Sequence, residues 1–307
     1  MTIENIPARK GLRLRSFVGR RMARKAGRSS LSPATSAEHA RARMDKAGRQ
    51  LPMPKDVEVA RTEIGGCDAL AFAPLSARSG VLSYLHGGGY SRGSALSHRA
   101  LVARMAAAFS LNAISINYRM APEHPCPAAI EDATAALEAV MANESGPVIL
   151  AGDSAGGGLA LAVAIRLRDA GKRVPDALYL LSPWTDLSMS GESVRAKASR
   201  DPMLNPDYLG AGGELYLGGR AGTDPEASPL FAQLAGLPPT LIQVGSDEIL
   251  LSDSTRLAER LEAAGVPVDC EIWEGMWHDF QIFSPLIPEA DWALDRARVW
   301  VELHLAG

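Results

Sequence analysis

A chain of 307 residues, 47% hydrophobic and with a formal charge of −3, has the length for one large α/β domain with an insertion, or for two domains. No apolar run reaches the ~18 residues that a membrane span needs, so stable insertion into a bilayer is not expected. Cys67, Cys126 and Cys270 show neither CxxC spacing nor an even framework, which argues against a disulfide scaffold and predicts reduced, buried thiols in a cytoplasmic protein.

The small net charge hides an asymmetry, because residues 1–28 carry nine Lys or Arg against Glu4 alone. Arg9, Lys10, Arg13, Arg20, Arg21, Arg24 and Lys25 interleave with Leu12, Leu14, Phe17, Val18 and Met22 at helical spacing. Such a segment can lie on anionic lipid or nucleic acid, or cover an apolar cleft of its own protein. The covering helix is the expectation, with no nucleic-acid partner. Arg20-Arg21 has no apolar stretch after it, so no export signal is expected.

From Asp56 the period changes. Val57–Ile64 and Ala69–Ala73 read as two strands of a hairpin around Gly65-Gly66. Val81–Leu85 is a strand running into His86-Gly87-Gly88-Gly89-Tyr90, and Asn112–Tyr118 is another, followed by a helix to about Met141. Val148–Ala151 suits a buried parallel strand and leads through a glycine-rich turn into a helix beginning near Leu159. Ala177–Leu181 is a strand, regular periodicity is lost over about 184–230, and Leu241–Val244, Asp253–Ala264, Val268–Trp273 and Asp291–Leu303 alternate strand and helix. Strands alternating with helices predict a mostly parallel sheet of about eight strands flanked by helices.

The chemistry centres on Gly152-Asp153-Ser154-Ala155-Gly156. A serine between strand and helix on a sharp turn needs nearly side-chain-free neighbours at −2 and +2, and Gly152 and Gly156 meet that need. Gly89-Tyr90-Ser91-Arg92-Gly93 matches the same pentapeptide, so a bare match decides little. Ser154 is the expected nucleophile because Ser91 sits just beyond the Gly87-Gly88-Gly89 loop, and with Ser91 as nucleophile nothing would explain the second elbow. Of the histidines after Ser154, His304 sits in the last helical turn, whereas His278 follows a strand in a loop, where a general base belongs. The orienting acid is expected to be Asp247, at the carboxyl end of Leu241–Val244. Glu248 should point the opposite way, Asp253 should cap the following helix, and Asp279 is too near His278 in sequence to orient its ring. Gly87-Gly88-Gly89 can turn backbone N–H groups toward a developing oxyanion, with Ala155 N–H as a further donor. Asp153, Glu123 and His86 are read as braces of that loop.

His86-Gly-Gly-Gly-Tyr, Tyr118-Arg-Met-Ala-Pro-Glu-His-Pro, Gly152-Asp-Ser-Ala-Gly-Gly, Asp247 and His278 together resemble the hormone-sensitive-lipase family of bacterial esterases, over roughly residues 80–280. The resemblance implies an α/β-hydrolase fold, carboxylic-ester hydrolysis with no metal or organic cofactor, and an oxyanion held by Gly88, Gly89 and Ala155. It implies a helical cap built from residues 1–50 and 184–230 on a core of 51–183 and 231–307. Cys126, Gly158 and Glu248 depart from the family pattern, where an aromatic, Asn and Pro are common, and bear on the shape of the pocket. Tyr90, Trp184, Met203 and Tyr208 are the pocket candidates. The expected partner is a small neutral ester of short to medium acyl length, with a homodimer left open. Lactone and amide hydrolysis remain alternatives on the same triad. A non-catalytic binding protein of this fold is disfavoured because Ser, acid and His are all present.

Overall fold

The computed structural model describes residues 2–8, 13–30 and 35–305, with the backbone alone for 13–15, 28–30 and 305. Of the basic-segment residues singled out above, Arg9, Lys10 and Leu12 lie outside the described residues, as do the side chains of Arg13 and Leu14.

In chain order the elements are β1 (Thr2–Ile6), α1 (Arg13–Ser30), α2 (Ala37–Gln50), β2 (Val57–Ile64), β3 (Cys67–Pro74), β4 (Arg78–Leu85), α3 (Arg99–Phe109), β5 (Leu111–Ile116), α4 (Ala128–Asn143), β6 (Val148–Asp153) and α5 (Ala155–Asp169). They continue with β7 (Ala177–Leu181), α6 (Ser193–Ala196), α7 (Pro206–Leu217), β8 (Thr240–Gly245), α8 (Leu251–Ala263), β9 (Val268–Trp273) and α9 (Pro288–Leu305). Among the described residues the strands form one nine-stranded sheet in the order β1-β9-β8-β7-β6-β4-β5-β3-β2. Only β2/β3 and β3/β5 pair antiparallel. This is the α/β-hydrolase fold.

The central strands β6, β7 and β8 are buried throughout, as parallel strands covered on both faces must be. Their alternating side chains split into two cores. Leu150, Leu178, Leu180, Ile242 and Val244 pack with α4, α5 and α8. Ile149, Ala151, Tyr179, Leu181 and Leu241 pack with α3 and α9. All the reacting groups considered below leave the carboxyl ends of β4, β6, β8 and β9, where the crossovers of a parallel sheet open a crevice.

The N-terminal segment differs from expectation in two ways. Thr2–Ile6 is not cap but a ninth strand, parallel to β9 along Val268–Trp273. The large apolar side chains described in α1 do not face the protein: Phe17, Val18 and Met22 are 59%, 49% and 40% exposed. The buried residues are instead Gly19, Ala23 and Gly27, one helical turn apart, and a Cβ on Gly19 would lie 2.6 Å from Ile287 and 3.0 Å from the Trp277 ring. Small residues at i, i+4 and i+8 let the helix backbone approach two large side chains, and that contact overrides the hydrophobic pattern. Among the described residues, no helix is long and apolar enough to cross a membrane.

Candidate active site

Strand β6 ends at Asp153, and Ser154 turns the chain into α5 with φ 52 and ψ −120. A non-glycine residue there is strained, and its surroundings hold it in place. Ser154 N donates to Leu181 O at 2.8 Å, and Ser154 O accepts from Trp184 N at 2.9 Å and Gly158 N at 3.1 Å. A Cβ on Gly152 would overlap the Gly156 carbonyl oxygen, and one on Gly156 would overlap that of Leu85. At Gly158 it would overlap Trp184 O, so this chain has no room for an Asn there. Ser91 has no such conformation: it is absent from the left-handed residues, and its carbonyl accepts from Arg41 Nε at 2.9 Å.

The Gly87-Gly88-Gly89 loop, expected to donate to an oxyanion, is held by Asp153. Its Oδ1 accepts from Gly87 N at 2.8 Å and Tyr84 Oη at 2.6 Å, while Oδ2 lies 3.2 Å from His98 Nε2. Burial opposes both charges, yet their mutual attraction lowers the Asp153 pKa and raises that of His98. His86 is fully buried between the rings of Tyr118 and His98, at 4.4 and 5.8 Å, and its carbonyl accepts from Tyr118 Oη. Burial pushes the His86 pKa down to about 4, so the ring is neutral at pH 7. Gly88 and Gly89 have φ 122 and 62, and a Cβ on Gly88 would overlap Arg92 O. Glu123 does not contact His86. It holds Arg41 of α2 through two 2.8 Å bonds, and Arg41 in turn reaches Ser91 O and Ala121 O. His98, Tyr84 and Arg41 carry no local motif that sequence reading could have used.

The acid is where the structure corrects the sequence reading. Asp247 is buried but turns to Arg20, at 3.2 Å, and Arg200, at 2.8 Å, whereas the ion pairs of His278 among the described residues are with Glu248 and Asp279. Glu248 is completely buried and puts Oε1 3.2 Å from His278 Nδ1. Its Oε2 accepts from Ser182 Oγ and Gly245 N, both at 2.8 Å. The two carboxylates do point in opposite directions, and the inward one is the glutamate. Asp253 is not a cap: it is buried and accepts from Thr185 N and Asp186 N. Asp279, dismissed above as too close, sits in the left-handed region with φ 51 and ψ 39 and brings Oδ2 within 2.9 Å of His278 Nε2. Burial disfavours a charged imidazole, but Asp279 and Glu248 outweigh it and hold the His278 pKa well above its ordinary value. Burial raises Asp279 itself to about 7.

Strand β7 brings the two halves together. Its last residue, Leu181, takes the Ser154 N–H, and Ser182 Oγ serves both Glu248 and, at 3.3 Å, Asp279 N. The segment between β7 and β8 joins them through Asp201, which accepts from Met203 N, Leu204 N and Ile249 N, the last next to Glu248.

Of the pocket candidates, Tyr90 and Trp184 belong to the core. Tyr90 stacks on Tyr216 at 3.7 Å, and Trp184 is fully buried with Nε1 donating to Asp186 O. Met203 is half-buried, its backbone against Gly27 of α1. Tyr208 reaches the donor loop, its hydroxyl 2.9 Å from where a Cβ on Gly89 would stand. Cys126 is buried, its N–H donating to Tyr216 O. His304 is distant from these groups, with Nδ1 on Trp300 O.

Comparison with known proteins agrees with this fold. A family model described as alpha/beta hydrolase fold matches residues 82–282. An acetyl-hydrolase from Streptomyces hygroscopicus is 41% identical over 76% of this chain and 79% of its own. An esterase from Acinetobacter venetianus is 37% identical over 82% and 84%. The crystal structure of an esterase from the bacterial hormone-sensitive lipase family superimposes with a TM-score of 0.90 at 37% identity, covering 95% of this chain and 98% of that one. That of EstE5, soaked with p-nitrophenyl butyrate, gives 0.89 at 35% identity over 95% and 99%. The chain belongs to the α/β-hydrolase fold family, among the hormone-sensitive-lipase esterases. It is accordingly a carboxylic ester hydrolase.

Proposed function

We propose that the enzyme is a serine carboxylesterase acting on short- to medium-chain esters through an acyl-enzyme, with Ser154 as nucleophile, His278 as base and Glu248, in place of Asp247, as the orienting acid. The observation that carries this is the buried Glu248 carboxylate, fixed by Ser182 and Gly245 and set on His278 Nδ1. With Nδ1 taken by Glu248, Nε2, which lies 2.9 Å from Asp279 Oδ2, is the nitrogen left to exchange a proton with the serine.

Ser154 Oγ attacks the ester carbonyl carbon as its proton passes to His278 Nε2, and Glu248 stabilises the imidazolium. The oxyanion rests on the N–H groups of Gly88, Gly89 and Ala155. Losing one such donor costs roughly 100–1,000-fold in rate, so these account for a large share of the acceleration. The tetrahedral intermediate collapses, the C–O bond to the alcohol breaks, and His278 returns the proton to the departing alkoxide. Water repeats the sequence on the acyl-enzyme and releases the acid.

Short acyl groups are favoured because α7 lies on the donor loop, where a Cβ on Gly212 would stand 3.4 Å from Gly89 O, and because Tyr90 and Trp184, two of the expected pocket walls, are packed core. A relative named acetyl-hydrolase and a neighbour soaked with p-nitrophenyl butyrate fit that range. The test is hydrolysis of p-nitrophenyl esters from acetyl to dodecanoyl by the wild type and by Ser154→Ala. Turnover peaking at butyrate to octanoate and lost in Ser154→Ala supports the reading. A maximum on dodecanoate overturns the chain-length assignment, and full activity in Ser154→Ala overturns the mechanism.

A further inference from the structure

Cap helix α7 is aimed at the donor loop. Asn205 caps it, its side chain accepting the Tyr208 N–H at 2.8 Å, and Pro206 occupies the first turn, so the start of the helix is fixed. Gly212 and Gly213 lie on the side of the helix that meets the donor loop and Trp184. A Cβ on Gly212 would stand 3.4 Å from Gly89 O, and one on Gly213 would stand 3.5 Å from the Trp184 ring. This seating carries Tyr208 over Gly89, with the Arg92 guanidinium 5.0 Å from its ring centre.

The ring is buried, and its hydroxyl is a buried polar atom with no hydrogen-bond partner among the described residues. Native interiors rarely leave a hydroxyl unpaired, and doing so is unfavourable unless a ligand completes it. Burial pushes its pKa up to about 12, Arg92 pulling down and Asp279 pushing up, so the group keeps its proton and can donate at any pH at which the enzyme would be assayed. An unused donor thus faces the glycine whose own N–H is assigned to the oxyanion.

We infer that Tyr208 is a catalytic residue contributed by the cap: its hydroxyl donates to the substrate's acyl oxygen beside the N–H groups of Gly88, Gly89 and Ala155, and the bond strengthens as that oxygen becomes anionic. The inference rests on the acyl-transfer reading above. It makes the cap part of the oxyanion site, so the hole is complete only when α7 is seated on Gly89.

The test compares the wild type with Tyr208→Phe and Tyr208→Leu, using p-nitrophenyl butyrate and an alkyl trifluoromethyl ketone. Ser154 Oγ adds to the ketone carbon, its proton goes to His278, and an oxyanion forms in the hole. Tyr208→Phe keeps the ring and its packing. It is expected to lower kcat by about 100-fold, near the smaller cost of one lost donor, with KM little changed and ketone affinity reduced by a similar factor. Tyr208→Leu should show the same loss in kcat and ketone affinity, with a raised KM from the missing ring. Retention of kcat and ketone affinity within twofold in Tyr208→Phe would overturn the inference, as would a change confined to KM or to the melting temperature. Absence of ester turnover and of ketone binding in the wild type would instead overturn the acyl-transfer reading itself, and the inference with it.

Discussion

The nucleophile turn and the acid–base loops reach the same crevice by opposite means. At the turn the backbone decides everything: Ser154 is held at positive φ, and carbonyl oxygens crowd Gly152, Gly156 and Gly158 so closely that a single Cβ has nowhere to go. At the ends of β8 and β9 side chains decide. Asp247, Glu248 and Asp279 are neighbours or near-neighbours of similar chemistry, and which of them meets His278 depends on the direction in which each leaves the backbone. A site specified by backbone tolerates almost no substitution, whereas one specified by side chains can be re-wired by moving a carboxylate one position.

The sharpest way to break the turn is Gly156→Ala. Its methyl, on the first turn of α5, would overlap Leu85 O at the end of β4, where the obstacle is backbone and not a flexible side chain. Loss of soluble protein is expected in an expression trial, whereas Ser154→Ala should fold with an unchanged melting temperature and lose at least ~10⁴-fold in kcat. Equal yields of the two variants would show that the turn is softer than its contacts imply.

On the acid side, Glu248→Gln should cost several orders of magnitude in kcat, about 10⁴-fold if the amide fixes the wrong imidazole tautomer, with the fold intact by circular dichroism. Asp247→Asn should stay within about tenfold, since it removes only a partly exposed pair with Arg20 and Arg200. The reverse ranking would restore Asp247 as the acid.

These two regions also show what a sequence makes legible. The elbow, the donor glycines and His278 could be read directly because each demands a residue type: glycine where carbonyls crowd, serine between strand and helix, histidine at a strand's end. The sheet followed from uninterrupted apolar runs such as Val148–Ala151. The acid could not be read the same way, because Asp247 and Glu248 satisfy the same chemistry, and only the turn after Gly245 decides which faces inward. β1 and α1 were misread for a related reason. Thr2–Ile6 is largely exposed apart from Ile6 and has no apolar signature, and α1 docks through glycine and alanine, which carry little weight in a hydrophobic pattern.

A third comparison concerns proton affinity. His278 is flanked by carboxylates on both nitrogens, which raises its pKa and keeps it protonated, hence inactive as a base, to higher pH. Only the neutral ring can accept the serine proton, so kcat/KM should rise with pH through the histidine's titration. Asp279→Asn removes the anion on Nε2 and lowers the histidine pKa. The acid limb of the kcat/KM profile should therefore move to lower pH, while the alkaline plateau changes much less. An unmoved or upward-shifted limb would mean that Asp279 does not share that proton.

The smallest effects belong to the N-terminal helix, and there the ordinary hydrophobic ranking should invert. Phe17 is the larger and more apolar residue, but at 59% exposure its replacement by Ser should leave stability within about 0.5 kcal/mol and turnover of soluble esters unchanged. Gly19→Val adds only an isopropyl group, yet its Cβ would meet Ile287 at 2.6 Å and the Trp277 ring at 3.0 Å. Overpacking of this kind costs roughly 1–3 kcal/mol, and the strain falls on the residue immediately before His278. The helix is also anchored beside the acid loop, Arg20 donating to Asp247 Oδ2 and to Arg200 O. Gly19→Val should accordingly lower the melting temperature by a few degrees and reduce kcat severalfold, with little change in acyl-chain preference. If Phe17→Ser proved the more damaging in thermal unfolding and ester turnover, α1 would pack through its apolar residues after all, and the small-residue contact with Trp277 would be the wrong account of how it docks.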